Sequence, residues 1–304
     1  MSVAALDDTP PSGSEQRAEV DWGARFSRIA VYGVLIFAAL VFLVPLMSMI
    51  FTSLKDMDEI RGGNLLAPPS DITISAWLKA WNEACISVQC DGLAPYFVNS
   101  LMIVVPAVVI SVALGAINGY VLTMWRFPGA DWVFGALLFG CFIPFQIVLI
   151  PMARMLGIMG IAGSIPGVVF VHVVYGIGFT TLFFRNYYAS VPKELVKAAS
   201  VDGAGFWGTW WHILMPISWP IVTVAVIWQF TGVWNDFLFG VSFSSGNNQP
   251  VTVALNNLVN TSTGVKEYNV DMAGAMISAF PTLFVYIVAG RFFLRGLMSG
   301  AVKG

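Results

Sequence analysis

Charged residues are so sparse in this chain, and so unevenly placed, that the stretches between them decide what it can become. No charged side chain lies between Arg28 and Lys55, and residues 29–51 are apolar enough to cross about 30 Å of hydrocarbon at about 1.5 Å per residue. Similar uncharged runs follow at 97–124, 132–153, 165–184, 213–235 and 273–290, which predicts six membrane-spanning helices. Only 11% of the 304 residues are charged and 57% are hydrophobic, a balance that one water-exposed core cannot hide, so lipid must solvate much of the surface. The expected fold class is an all-α membrane protein.

Lysine and arginine placement gives the expected orientation. With the N-terminus in the cytoplasm, the inner segments hold Arg17, Arg25, Arg28, Arg126, Arg185, Lys193, Lys197, Arg291, Arg295 and Lys303, against Lys55, Arg61, Lys79, Arg154 and Lys266 outside. Ten against five puts both termini inside. Residues 1–24 read as a disordered cytoplasmic tail and not as a secretory signal, since no basic segment follows Met1 and the first apolar run is long enough to remain as a span. An outer loop is expected at 52–95, a cytoplasmic loop at 185–212, a polar outer loop at 241–271 and a cytoplasmic tail at 291–304. In the oxidising outer compartment Cys85 and Cys90 can form a disulfide or remain two free thiols, and both readings stay open. Cys141, inside an apolar run, reads as a small buried hydrophobe.

What the spans lack is equally informative. Carriers coupled to protons or sodium usually keep ionisable groups within the bilayer at a cost of about 2.5–3.5 kcal/mol each. These six runs contain no Asp, Glu, Lys or Arg. His172 is read as a hydrogen-bonded packing residue, and Asp236 falls at the outer end of the fifth run. No G-x-x-x-x-G-K followed by Ser or Thr occurs, nor a Rossmann glycine pattern, a metal-ligand cluster or a Ser–His–Asp set. Catalytic and metal residues are therefore expected to be absent, a membrane-embedded enzyme is remote, and a net charge of −2 gives no sign of a nucleic-acid partner.

After the fourth run the chain reads Arg185-Asn-Tyr-Tyr-Ala-Ser190-Val-Pro192-Lys-Glu-Leu-Val-Lys-Ala-Ala-Ser-Val-Asp-Gly203. Ser190 is expected to cap a short helix with Pro192 in its first turn. Leu195, Val196, Ala198, Ala199 and Val201 fall on one apolar face, and Gly203 stops the helix. Pattern alone leaves two readings equal: a surface for a partner, or a cap on the chain's own bundle.

This segment resembles the "EAA" coupling loop of ABC importer permeases, P-x-E-L-x-E-A-A-x-x-D-G-A followed by a downstream proline. Pro192, Glu194, Leu195, Ala198, Ala199, Asp202, Gly203, Ala204 and Pro216 match, whereas Lys197 stands where the motif usually has Glu. Asn99-Ser100-Leu101, Gly119-Tyr120, Arg126-Phe127, Trp234-Asn235-Asp236-Phe237 and the ending from Gly296 to Gly304 are similar to the sugar-importing, maltose-permease-like branch. Residues 119–126, 183–188 and 250–262 resemble glucose or mannose permeases most. The resemblance implies a type I ABC importer permease fold in a bacterial inner membrane. Its implied partners are a second homologous permease, two copies of a cytoplasmic ATPase that bind ATP and Mg, and an extracytoplasmic sugar-binding protein. No cofactor would be held by this chain. A coupling helix at 192–202 would dock on one ATPase, and the outer loop at 241–271 would receive the binding protein. Gln146, Trp228, Gln229, Trp234 and Asn235 are candidates to line the sugar pathway, although Trp also favours membrane interfaces and buried amides also join helices. The competing function is a self-sufficient carrier that needs no ATPase.

Overall fold

The computed structural model describes residues 22–86, 89–125, 127–260 and 266–301, with side chains between 26 and 290. Helices α1 (Trp22–Ser53), α2 (Met57–Gly62), α3 (Ser75–Asn82) and α4 (Ala94–Tyr120) come first. They are followed by α5 (Ala130–Phe142), α6 (Phe145–Ile158), α7 (Ile165–Ser190), α8 (Lys193–Val201) and α9 (Phe206–Thr209). The last are α10 (Met215–Ile217), α11 (Trp219–Trp234), α12 (Leu238–Phe243), α13 (Val251–Val259) and α14 (Tyr268–Ala301). Among the described residues no strand forms, only the isolated bridges Ile86–Gln89 and Gly163–Ser244.

The chain divides into residues 1–48 and 49–304. The described part of the first unit is α1 up to Ser48, a helix whose apolar window contains no buried side chain. A helix that is apolar all round suits lipid or another chain and not water.

In the second unit α4 and α7 lie parallel and in close contact. A Cβ placed on Gly115 would stand 2.5 Å from Thr180 Oγ1, and one on Gly119 would stand 2.6 Å from Phe184 Cβ. Ser111, Gly115 and Gly119 recur every four residues, so one small-residue stripe admits the partner backbone, as membrane helix pairs require when no water drives them together. Thr180 Oγ1 uses that closeness to donate to Ser111 O at 2.9 Å, and Asn118 Nδ2 donates to Thr181 Oγ1 at 3.3 Å. Beside this pair, α11 packs on α4, α7 and α14. Trp234 is 2% exposed, with its ring edge-on to Phe97 at 5.1 Å and stacked on Phe230 at 5.8 Å.

Four of the predicted spans are single helices long and apolar enough to cross: Phe26–Ser53, Ala94–Trp125, Ile165–Ser190 and Tyr268–Gly290. The third and fifth runs are not. Ala130–Phe142 and Phe145–Ile158 meet at 102°, and Phe206–Ile217 and Trp219–Trp234 meet at 80°, so the expected six spans hold only if each bent pair counts as one. Proline chemistry explains both corrections. Ile143 (φ −67°, ψ 124°) is extended because Pro144 disfavours a helical residue before it. At the second bend Pro220 occupies the first turn of α11, where its missing N–H costs nothing, and Ser218 Oγ donates to Leu214 O at 2.5 Å. The ends also differ from expectation. Trp22 to Ala24, assigned to the tail, begin α1, while the rest of that tail lies outside the described residues. The segment expected as a separate tail from residue 291 continues α14 to Ala301; Arg17, Arg126, Lys303 and the stretch 261–265 lie outside the described residues.

Overpacking the α4–α7 seam is expected to cost about 1–3 kcal/mol. Gly115→Val should therefore lower the thermal unfolding midpoint of detergent-purified protein, whereas Gly135→Ala, with nothing within 4 Å of the added Cβ, should not.

Candidate functional site

The first candidate is α8 and its connection to the fifth run. Ser190 is not its cap: α7 continues through Ser190, whose Oγ donates back to Tyr187 O at 2.7 Å. Pro192 holds the cap position instead, in an extended conformation without a side-chain bond (φ −58°, ψ 127°), and Glu194 places a carboxylate in the first turn, favourable beside the helix N-terminus. The C-terminal end follows the sequence expectation closely. Gly203 adopts φ +82°, Gly203 N donates to Ser200 O at 3.2 Å and Ala204 N donates to Ala199 O at 2.9 Å. This pair of bonds is the Schellman arrangement, and it satisfies carbonyls that α8 would otherwise leave open.

The expected apolar face does not act as one surface. Ala199 is 4% exposed and Val196 is half-buried, and these two seat α8 on the bundle. Leu195 (44%), Val201 (87%) and Ala198 face outward instead, together with Glu194, Lys197 and Asp202. One side of the helix is therefore packed on its own bundle, and the other is uncovered. Ala204 is half-buried, and Pro216 lies exposed in α10, at the bend into α11.

The pathway candidates separate into two groups. Gln229 is 6% exposed, and its Nε2 lies 3.2 Å from both Ser111 Oγ and His172 O, joining α11 to α4 and α7. Trp234 Nε1 donates to Ser278 O at 2.9 Å on α14. These two side chains are consumed by packing and do not line an open surface. Gln146, Trp228 and Asn235 are exposed. Trp228, 52% exposed, stands beside Phe179 and Phe183, each at 5.8 Å, and Asn235 Oδ1 accepts from Thr282 Oγ1 at 3.1 Å.

Sequence reasoning passed over the tie at the other end of α11. Asp236 Oδ2 accepts from the amides of Phe239 (2.9 Å) and Gly240 (3.0 Å), so the carboxylate holds the start of α12. Burial pushes the Asp236 carboxyl above the usual carboxylate range, while the amides of Gly240, Phe239 and Leu238 pull it back. His172 Nε2 lies 3.8 Å from the same oxygen. Ser100 Oγ accepts from Val251 N at 2.8 Å, and Asn99 Nδ2 lies within 3.0 Å of both Asn247 O and Gln249 O, which pins the loop before α13 to the start of α4. Cys85 and Cys90 are joined by a disulfide next to the Ile86–Gln89 bridge. Among the described residues no group of three or more His, Cys, Asp or Glu side chains converges as a metal site would.

Residues 22–295 match a family model described as the binding-protein-dependent transport system inner membrane component. A probable ABC transporter permease of Pyrococcus horikoshii is 44% identical over 55% of this chain, a match covering 60% of that protein's length. The xylose/arabinose import permease XacI of Haloferax volcanii is 31% identical over 97% of this chain and 100% of its own length. Among solved structures, a bacterial ABC transporter involved in import of the acidic polysaccharide alginate has a chain that superposes with a TM-score of 0.76, at 19% identity, covering 90% of this chain and 98% of that one.

The two groups of pathway candidates predict different behaviour. Gln229→Ala leaves Ser111 and the His172 carbonyl without their shared donor, at a cost of about 1–3 kcal/mol, and should lower the unfolding midpoint in detergent. Trp228→Ala should leave that midpoint nearly unchanged.

Proposed function

We infer the function of this chain from its family: it belongs to the binding-protein-dependent transport system inner membrane components, which are transport parts and not enzymes. It is the permease subunit of an ATP-driven importer and forms half of the pathway for a small sugar. Glucose or mannose is the expected cargo, from the resemblance of residues 119–126, 183–188 and 250–262 to permeases for those sugars. The name of the Haloferax relative, a xylose/arabinose import permease, supports a monosaccharide. The partners are a second related permease, two copies of an ATPase that carries ATP and Mg, and an outer sugar-binding protein.

The observation that carries this reading is the outward side of α8. A nine-residue helix is too short to persist alone, yet this one is seated by Ala199, closed by a left-handed glycine, and leaves Leu195, Ala198 and Val201 uncovered. An ATPase cleft that covers those three would move with α8. ATP then favours one arrangement of the permease pair because it binds that arrangement better, and the two permeases rock between inward- and outward-facing states. The Cys85–Cys90 disulfide supports placing its loop in an oxidising outer compartment, which agrees with both termini being cytoplasmic. Trp228 on α11 and Asn235 at its C-cap, both exposed, are the pathway contacts this chain offers, with Gln146 on α6.

Because Ala199 is buried, a charge there would unseat α8 without testing docking. Val201→Glu and Ala198→Glu are the informative variants. Both are on the surface, where substitutions usually change stability by less than about 0.5 kcal/mol. Each should leave the chain folded while abolishing copurification of the ATPase. Gly203→Val strains the φ +82° turn by about 1–2 kcal/mol and should weaken coupling while the ATPase stays bound. Full ATPase binding in both Glu variants contradicts the reading. Sugar uptake by liposomes holding this chain alone would favour the self-sufficient carrier instead.

A further inference from the structure

The link from α8 into the bundle is a short, defined turn. Gly203 at φ +82° and the bonds from Gly203 N to Ser200 O and from Ala204 N to Ala199 O set its course into α9. A push on α8 passes along this turn and reaches the spans only if something just beyond it grips them.

Phe206, the first residue of α9, provides that grip. Its ring stacks on Tyr120 with centroids 4.8 Å apart and planes 29° apart, and it meets Trp125 edge-on at 5.3 Å. Tyr120 is the last residue of α4 and is 1% exposed. Through Phe206 the segment after α8 therefore holds the buried end of α4.

The backbone on both sides of this clasp is wound unusually. Val121–Trp125 continues α4 as a π-helical turn, and Trp210–Leu214 continues α9 as another. Such turns are rare and frequently lie at functional sites. Trp210 is 7% exposed, and its indole Nε1 is buried without a hydrogen-bond partner. A buried donor left open is a cost that a rewound turn can relieve, which is a property expected of a two-position element.

We propose that Phe206 is the positioning residue that passes movement of α8 to α4, clasping Tyr120 and Trp125 across two π-helical turns. This rests on the reading of α8 as the coupling helix and adds the route by which its movement reaches the spans. Because α4 is packed along its length on α7, a displacement delivered at Tyr120 is shared by both helices.

The test uses the complete complex with nitroxide labels on Ser200→Cys in α8 and Val98→Cys at the far end of α4, in a Cys141→Ser background. The label separation is measured by pulsed electron resonance before and after trapping with ATP and vanadate. With Phe206 present the two labels move as one body, and trapping leaves their separation unchanged. With Phe206→Ala the ATPase stays bound but the separation shifts on trapping, and ATP-driven transfer of movement falls at least about fivefold, the lower end of ordinary coupling between sites. Phe206→Tyr restores the constant separation. If Phe206→Ala prevents assembly, Trp125→Ala removes only the edge contact and should give a smaller shift. A separation that changes on trapping with Phe206 intact overturns the proposal, as does one that stays constant in Phe206→Ala. Failure of the ATPase to bind the unaltered chain would instead overturn the coupling reading itself, on which Val201→Glu reports independently.

Discussion

Two parallel helices, α4 and α7, come so near at Gly115 and Gly119 that neither position has room for a methyl group. In a bilayer, apolar side chains gain little by leaving lipid for one another, so helices associate where backbones can touch and polar groups can meet. The Ser111–Gly115–Gly119 stripe provides the first condition, and Thr180 donating to the Ser111 carbonyl provides the second. Other elements build outward from this seam. Gln229 brings α11 to it through Ser111 and the His172 carbonyl, Trp234 carries α14 by its bond to Ser278 O, and Phe184 beside Gly119 leads into the end of α7 from which α8 departs.

That seam explains how long uncharged runs still fix one arrangement. Thr180, Gln229 and Trp234 are placed where a second helix supplies the acceptor, so these polar groups are specific without the desolvation cost of an ion. The ionic contacts described stand nearer the ends: Arg185 with Asp131 at 3.4 Å, Lys79 with Glu267 at 2.6 Å, and Lys266 with Asp271 at 2.7 Å. Arg185 also lies 4.0 Å over the Phe134 ring, which ties α5 to α7 in the last turns before α8.

Much of this was legible in the sequence because lipid imposes a simple length rule. Uncharged runs located the spans, and Gly203 announced a left-handed helix stop. The bends were not legible. Pro45, Pro106, Pro151 and Pro281 all lie inside helices that continue past them, while Pro144 and Pro220 stand at breaks. The same residue type gives both outcomes, so a proline in an apolar run does not by itself locate a break. The roles of Gln229 and Trp234 were hidden for a related reason. An amide or an indole in an apolar run looks alike whether it faces a pathway or a neighbouring carbonyl, and only the packing partner distinguishes them.

The division of labour on α8 follows from the same logic. On the proposed coupling role, α8 must be attached to its own bundle and yet offer a surface to another protein, and nine residues leave little area for both. Here the attachment is reduced to Ala199 and half of Val196, small enough that Leu195, Ala198 and Val201 remain uncovered on the other side. So slight an attachment cannot transmit force by itself. The aromatic contact of Phe206 with Tyr120 and Trp125 lies just beyond the Gly203 turn. Rigid rings on a buried helix end resist displacement where a flexible aliphatic chain would yield. In the proposed route that stiffness is what lets a displacement of α8, carried through the turn, reach the spans.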